Sequence, residues 1–400
     1  MKRVLFVDDD PNVVQGLRRM LRSVRYEWQV GSATSGEEAL EAIRHEPFDV
    51  IVSDMKMPGI DGAELLTRVK SLQPDSVRII LSGHSERHAV MKSVAPAHQF
   101  LSKPCEAEAL KETIERAYAL RDFLGTSKIK ELVSGIDFLP GAPSLHRELV
   151  QELEAPNPSL TKIAKVIEQD IGMSGNILKV VNSAYFGLFK PVISVERAVT
   201  YLGLETIGDL SRIPVFSEYK GLDMRGFSVE ALGRHSRRTA GFARSVAVEE
   251  KGSEELAGHS FQAGMLHDVG KLVLAAGVPE RYGRVVQRAA ERGVSVSEVE
   301  QEELGATHAQ IGAYLLGLWG LPEPIVEAVA YHTKPMDCPW RRSGVLTAVH
   351  VANSLALEID GSSTANDPPR IELEYLRSLK IDHRLKDWRN ACLQCVEQAG

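Results

Sequence analysis

Residues 1–120 alternate between short apolar runs and stretches with apolar residues three and four apart, and each run ends in acidic or polar residues. Val4–Val7 ends in Asp8, Asp9 and Asp10, and Val50–Ser53 in Asp54. Arg78–Leu81 leads to Ser82, and Gln99–Leu101 to Ser102 and Lys103. Short continuous apolar runs are the pattern of strands buried on both faces. Helical patterns such as Val13–Leu21 and Gly36–Arg44 lie between them. Strands alternating with helices predict a doubly wound α/β sheet. Ligands of such sheets bind at the carboxyl ends of the strands, where Asp8, Asp9, Asp54, Ser82 and Lys103 fall.

That placement implies a chemistry. Three carboxylates at one sheet edge repel unless a hard cation joins them, and oxygen-only ligation suits Mg²⁺. A carboxylate beside Mg²⁺ can attack a phosphoryl group and form an aspartyl phosphate. Lys103 is placed to bring a second cation to the phosphoryl oxygens, and Ser82 a hydroxyl. An Asp pair by itself is commonly only a helix cap. Five such residues in order, each behind a predicted strand, point to a site.

The segments V-D-D-D-P (7–11), D-M-K-M-P-G-I-D-G (54–62), L-S-G (81–83) and S-K-P (102–104) resemble the receiver domains of two-component response regulators, which have a flavodoxin-like fold. The resemblance implies that Asp54 is the phosphoacceptor. It makes Asp8 and Asp9 the acidic pair for magnesium, with the Lys56 backbone carbonyl completing the shell. Ser82 becomes the switch hydroxyl, Phe100 the switch aromatic and Lys103 the phosphate partner, with a cis Lys103–Pro104 bond. It also implies a sensor histidine kinase or phosphotransfer protein as donor, and receiver pairing into a homodimer as one mode of output.

The last receiver helix is expected from about Glu106 to beyond Arg121, and Leu139-Pro140-Gly141-Ala142-Pro143 breaks any helix. Beyond it the pattern is helical: Ser144–Leu153, Leu160–Gln169, Met173–Asn182, Val195–Leu202, Val229–Ala247 and Phe261–Ala276. An all-α bundle follows. L-P-G-A-P-S-L (139–145), S-L-T-K-I-A-K-V-I-E-Q-D (159–170), N-I-L-K-V-V-N-S-A-Y-F-G (176–187), A-V-T-Y-L-G-L-E-T-I (198–207) and A-G-M-L-H-D-V-G-K-L (263–272) resemble the HDOD domain, a relative of the HD-superfamily metal-dependent phosphohydrolases. Asn182, Ser183, Tyr185 and Gly187 belong to that pattern and read as a tightly turned helix end. The expected organisation is a receiver over 1–122, a linker over 123–138, an HDOD domain over 139–335 and a helical extension over 336–400. In the extension, Val345–Leu357, Leu373–Leu379 and Leu385–Val396 read as helices.

The HD resemblance supplies a second candidate site. His235, His267, Asp268, His308 and His332 each fall in a helical pattern, and Gly264 and Gly270 flank the His-Asp pair. A lone inward histidine is usually a core residue; four with an aspartate in HD-family order suggest a degenerate site for iron, manganese or zinc. The family's terminal aspartate is replaced by Asn353, a poorer ligand for a divalent ion. Thr333 stands where relatives that cleave cyclic di-GMP carry a second histidine. These departures favour a non-catalytic output domain acting on a protein partner. The alternative is a receiver-gated, metal-dependent phosphohydrolase.

Bulk properties exclude other classes. A net charge of −7 and a pI of about 6.0 argue against a DNA-binding output. No apolar stretch approaches the roughly 18 residues that span a bilayer, so a cytoplasmic protein without membrane contact is expected. Cys105, Cys338, Cys392 and Cys395 are too few for a disulfide framework. Cys392 and Cys395 read as two cysteines one turn apart on a terminal helix, with a redox or metal pair as the sharper alternative.

Overall fold

The structure is a computed structural model that describes residues 2–21, 28–82, 96–124, 127–182, 191–213, 226–359 and 371–399. The chain divides into two compact units. One comprises Met1–Phe138 with Lys179–Pro191 and Gly317–Gly320, and the other the remaining residues.

In the first unit, five parallel strands alternate with helices: β1 (Lys2–Val7), α1 (Pro11–Met20), β2 (Trp28–Ala33), α2 (Gly36–His45), β3 (Val50–Asp54), α3 (Gly62–Leu72), β4 (Val77–Ser82), β5 (Gln99–Ser102) and α4 (Ala107–Phe123). The strand order is β2-β1-β3-β4-β5. The connection reverses direction between β1 and β3, which is where such a sheet opens a crevice at its carboxyl edge. The apolar runs fill the interior as buried strands: Val4–Val7 and Val50–Val52 are at most 1% exposed. Helix starts are set locally. Asp10 accepts the Asn12 N–H and Ser35 the Glu38 N–H, and Pro11 opens α1. β2 was not among the expected runs. Its W-Q-V-G-S-A sequence is buried only at Trp28 and Ala33, as befits an edge strand.

The stretch expected as a linker contains a helix, α5 (Ser127–Ser134), whose end is held by β4 and the start of β5. Arg78 is fully buried. Its guanidinium donates to the carbonyls of Pro96, Ser76 and Ser134 at 2.6–3.2 Å, and its amide donates to His98 Nδ1 at 3.1 Å.

In the second unit the described residues form helices: α6 (Pro143–Leu153), α7 (Leu160–Ile167), α8 (Ile171–Val181), α9 (Val195–Ser211), α10 (Val229–Glu249), α11 (Glu254–Leu266), α12 (Val269–Gly277), α13 (Pro279–Arg292), α14 (Val296–Leu304), α15 (His308–Leu318), α16 (Glu323–Tyr331), α17 (Val345–Ile359), α18 (Leu373–Ser378) and α19 (Leu385–Ala399). α9 kinks at Gly203, whose φ of 74° suits glycine. The expected single helix Phe261–Ala276 is instead two, α11 and α12, meeting at His267-Asp268. α10 packs against α11, α17 and α19. In α19, Trp388 is fully buried and donates to Glu250 at 2.8 Å, beside Arg384 on the same carboxylate. Cys392 is buried and Cys395 half-buried, both as free thiols.

Candidate functional site

At the carboxyl edge of the sheet, Asp8 follows β1, Asp54 ends β3 and Lys103 follows β5. Asp8 and Asp54 are 2% and 8% exposed. Lys103 Nζ donates to Asp8 Oδ2 at 2.7 Å and forms an ion pair with Asp54 Oδ1. Burial alone would lower the lysine's pKa, but the two carboxylates outweigh it and raise it. The second oxygen of Asp54 accepts the Lys56 N–H at 2.8 Å, and Asp8 Oδ1 accepts the Asp10 N–H at 3.0 Å.

Two glycines shape this edge. Gly59 turns with φ 77°, and a Cβ on Gly62 would collide with the Asp54 carbonyl. The Lys103–Pro104 bond is cis. Asp9 is exposed at the same edge and makes no hydrogen bond or ion pair to a described residue. Ser82 ends β4 and pairs across the sheet with Ser102; its side chain lies outside the described part. Phe100 lies on β5, 9% exposed. The oxygen donors gathered here suit a hard divalent cation, and Lys103 stands opposite them as a fixed positive charge.

The second unit brings its five candidates together. His235 lies within α10, but His267, Asp268, His308 and His332 sit at helix ends and not inside helices as the periodicity suggested. His267 and His332 end α11 and α16, Asp268 precedes α12, and His308 begins α15. Helix ends bring several side chains to one point, and glycine permits the approach. A Cβ on Gly264 would lie 2.8 Å from the Ala240 Cα, and one on Gly270 would overlap the His308 carbonyl.

Asp268 is the hub. Its carboxylate lies 3.4 Å from His267 Nε2, 3.2 Å from His308 Nε2 and 3.7 Å from His332 Nε2. Those three nitrogens and Asp268 Oδ1 are buried without a hydrogen bond. The opposite ring nitrogens are pinned: His267 Nδ1 to the Gly264 carbonyl at 2.7 Å, His332 Nδ1 to the Val329 carbonyl at 2.9 Å, and His308 Nδ1 to Glu300 at 2.7 Å. His235 differs, because its Nε2 is engaged with Asn353 Oδ1 at 2.8 Å while its Nδ1 has no partner.

Burial dominates the electrostatics. It holds His332 at about 4 and, with the neighbouring His267, His235 at about 3. Burial also disfavours the charge of Asp268, but His267 and Lys271 override it and hold the carboxyl well below its usual range. Sequence reasoning did not find Glu300, which is fully buried and also accepts the His308 N–H. Ser183, Tyr185 and Gly187 lie outside the described residues.

Comparison with known proteins fits both halves. Residues 4–115 match the response regulator receiver domain, and residues 139–335 match the HDOD domain. An uncharacterized protein of Treponema pallidum is 28% identical over 254 residues, 63% of this chain and 48% of that protein. The hydrogenase transcriptional regulatory protein HoxA of Bradyrhizobium diazoefficiens is 37% identical over 119 residues, 29% of this chain and 24% of that protein. The crystal structure of the MmoQ response regulator from Methylococcus capsulatus is similar at 21% identity and a TM-score of 0.49, covering 63% of this chain and 98% of that one. The match spans about half the length of the Treponema protein and about a quarter of HoxA.

The α/β half, with its acidic sheet edge, is therefore the receiver of a response regulator. More particularly, the chain belongs to the response regulators in which that receiver is followed by an HDOD domain. Among the described residues, no helix is long and apolar enough to cross a membrane.

Proposed function

We propose that this chain accepts a phosphoryl group on Asp54 from a histidine kinase or phosphotransfer protein and passes the signal to a protein partner through a non-catalytic HDOD output. The observation that carries this reading is Lys103 Nζ bound at once to Asp8 and Asp54 beside the β1/β3 crevice. An Asp54 oxygen attacks phosphorus, and the donor's bond to phosphorus breaks with the electron pair leaving on the donor. Lys103 already lies on the attacked carboxylate and is placed to follow the charge onto the phosphoryl oxygens. Asp8, Asp9, Asp54 and the Lys56 carbonyl are the groups that would hold Mg²⁺, which when bound offsets the phosphoryl charge. Ser82 and Phe100 are the residues through which the altered charge would reach the β4–β5 face, which would then pair with a second receiver or dock on a partner.

Labelling with acetyl phosphate tests the assignment. The parent protein should take up one phosphoryl group per chain, and Asp54→Asn none. Labelling that persists in Asp54→Asn refutes the reading.

The second unit supports a further reading. Three histidine nitrogens and a carboxylate oxygen, buried and without hydrogen bonds, converge with their opposite ring atoms fixed. This donor set suits zinc, iron or manganese. We propose that Asp268, His308 and His332 hold one such ion, with His267 and His235, the other set gathered around Asp268, beside it. Elemental analysis of the purified protein should find about one transition-metal ion per chain, lost in Asp268→Asn; metal-free protein that also fails to take up added zinc, iron or manganese counts against it. No observation favours hydrolysis by this site.

A further inference from the structure

We infer that the second unit carries a small anion pocket, built for the phosphate group of a small phosphomonoester and sharing no residue with the histidine cluster. A cavity of about 200 Å³ opens between the start of α6, the junction of α7 and α8, and one face of α10. That is smaller than the roughly 300–1,000 Å³ of common ligand pockets, so it suits a phosphate with a few attached carbons.

Two guanidiniums line it, Arg234 and Arg237, three residues apart on α10. Arg237 is half-buried and fixed by a 2.6 Å bond to the Gln169 carbonyl. Arg234 makes no hydrogen bond or ion pair to a described residue. Burial and the charge of Arg234 pull the pKa of Arg237 down, and Asp170 offsets them only in part. The planar fork of arginine matches phosphate oxygens two at a time.

Two carboxylates also line the cavity. Asp170 is already engaged by backbone: its oxygens accept the Ala142 N–H at 2.5 Å and the Met173 N–H at 2.7 Å. Glu230 is solvent-exposed. α6 begins at Pro143 behind Ala142, which offers no side-chain cap, so the N–H groups of its first turn, at Ser144 and Leu145 on the wall, lack a capping side chain. Leu145, Ile171 and Leu272 supply an apolar side for the carbon portion. Gly233 lies between the arginines in sequence, and a Cβ there would approach nothing nearer than 3.6 Å. A larger side chain at 233 should therefore fill the cavity without disturbing the helix.

Calorimetric titration of the full chain with inorganic phosphate and with glycerol 3-phosphate tests this. Saturable 1:1 binding is expected, weakened at least about tenfold (about 1.4 kcal/mol) in Arg234→Gln and in Arg237→Gln, and lost in Gly233→Met. Each variant should keep the parent's helicity and thermal transition, which report that the helical unit is folded, and acetyl phosphate labelling of Asp54, which reports that the receiver site is separate. Tighter binding of glycerol 3-phosphate than of inorganic phosphate is expected, and the reverse order would overturn the phosphomonoester as the occupant. Absence of saturable binding overturns the inference, as does binding that survives both arginine substitutions.

Discussion

A carboxylate buried as deeply as Glu300 costs several kcal/mol to desolvate unless a partner answers its charge. His308 answers twice, through its backbone N–H and through Nδ1, both at 2.7 Å. Burial by itself would depress His308, yet Glu300, helped by Asp268, lifts it to about 9. The same contact fixes the ring so that Nε2 faces Asp268. Partners behind a ligand typically contribute 10–100-fold to metal affinity. Glu300→Gln keeps an acceptor for the His308 N–H but removes the charge. It should weaken transition-metal binding by about 10–100-fold in competition with a chromophoric chelator, with helicity unchanged; equal affinity in both proteins would show that Glu300 merely caps α15. The histidines were legible in the sequence because their order resembles that of HD proteins. Glu300 was not, because it stands in an acidic run whose neighbours Glu298 and Glu302 are exposed, and a run of glutamates reads as a solvated face. The receiver residues were legible because each follows a strand, although the pairing of Lys103 with both carboxylates needed coordinates.

Among the elements, β4, β5 and α5 are tied by one buried pair, Arg78 and His98. Burial, then the charge of Arg78, holds His98 well below its ordinary 6.5. The unfolded chain binds a proton near pH 6.5 and the folded chain does not. Stability from the neutral imidazole is thus complete above about pH 6.5 and is lost as pH falls toward the depressed folded value. The urea midpoint of the receiver transition should drop between pH 7 and 5, and the drop should shrink in His98→Gln; parallel pH profiles would exclude this origin. The apolar runs announced β1, β3, β4 and β5. The edge strand β2 escaped because one strand neighbour and a half-wet face leave no continuous apolar run. The break between α11 and α12 escaped for a related reason: the apolar stripe continues through His267-Asp268, and only the convergence of other helices there ends it.

At the scale of the molecule, the net charge is −7, the sign that repels nucleic acid. The match to the HDOD domain ends at residue 335, but the helical core does not. α17 carries Asn353 to His235, and α19 lays Trp388 against the end of α10, the helix that presents His235. Burying an aromatic ring of that size contributes about 5 kcal/mol. A fragment trimmed to the limits of the family match would strip one wall from the scaffold that aligns the histidines. It should show reduced helicity per residue and take up no metal, whereas residues 139–399 should behave like the parent. Anyone surveying related regulators by domain limits alone would mistake that amputated core for an inert one.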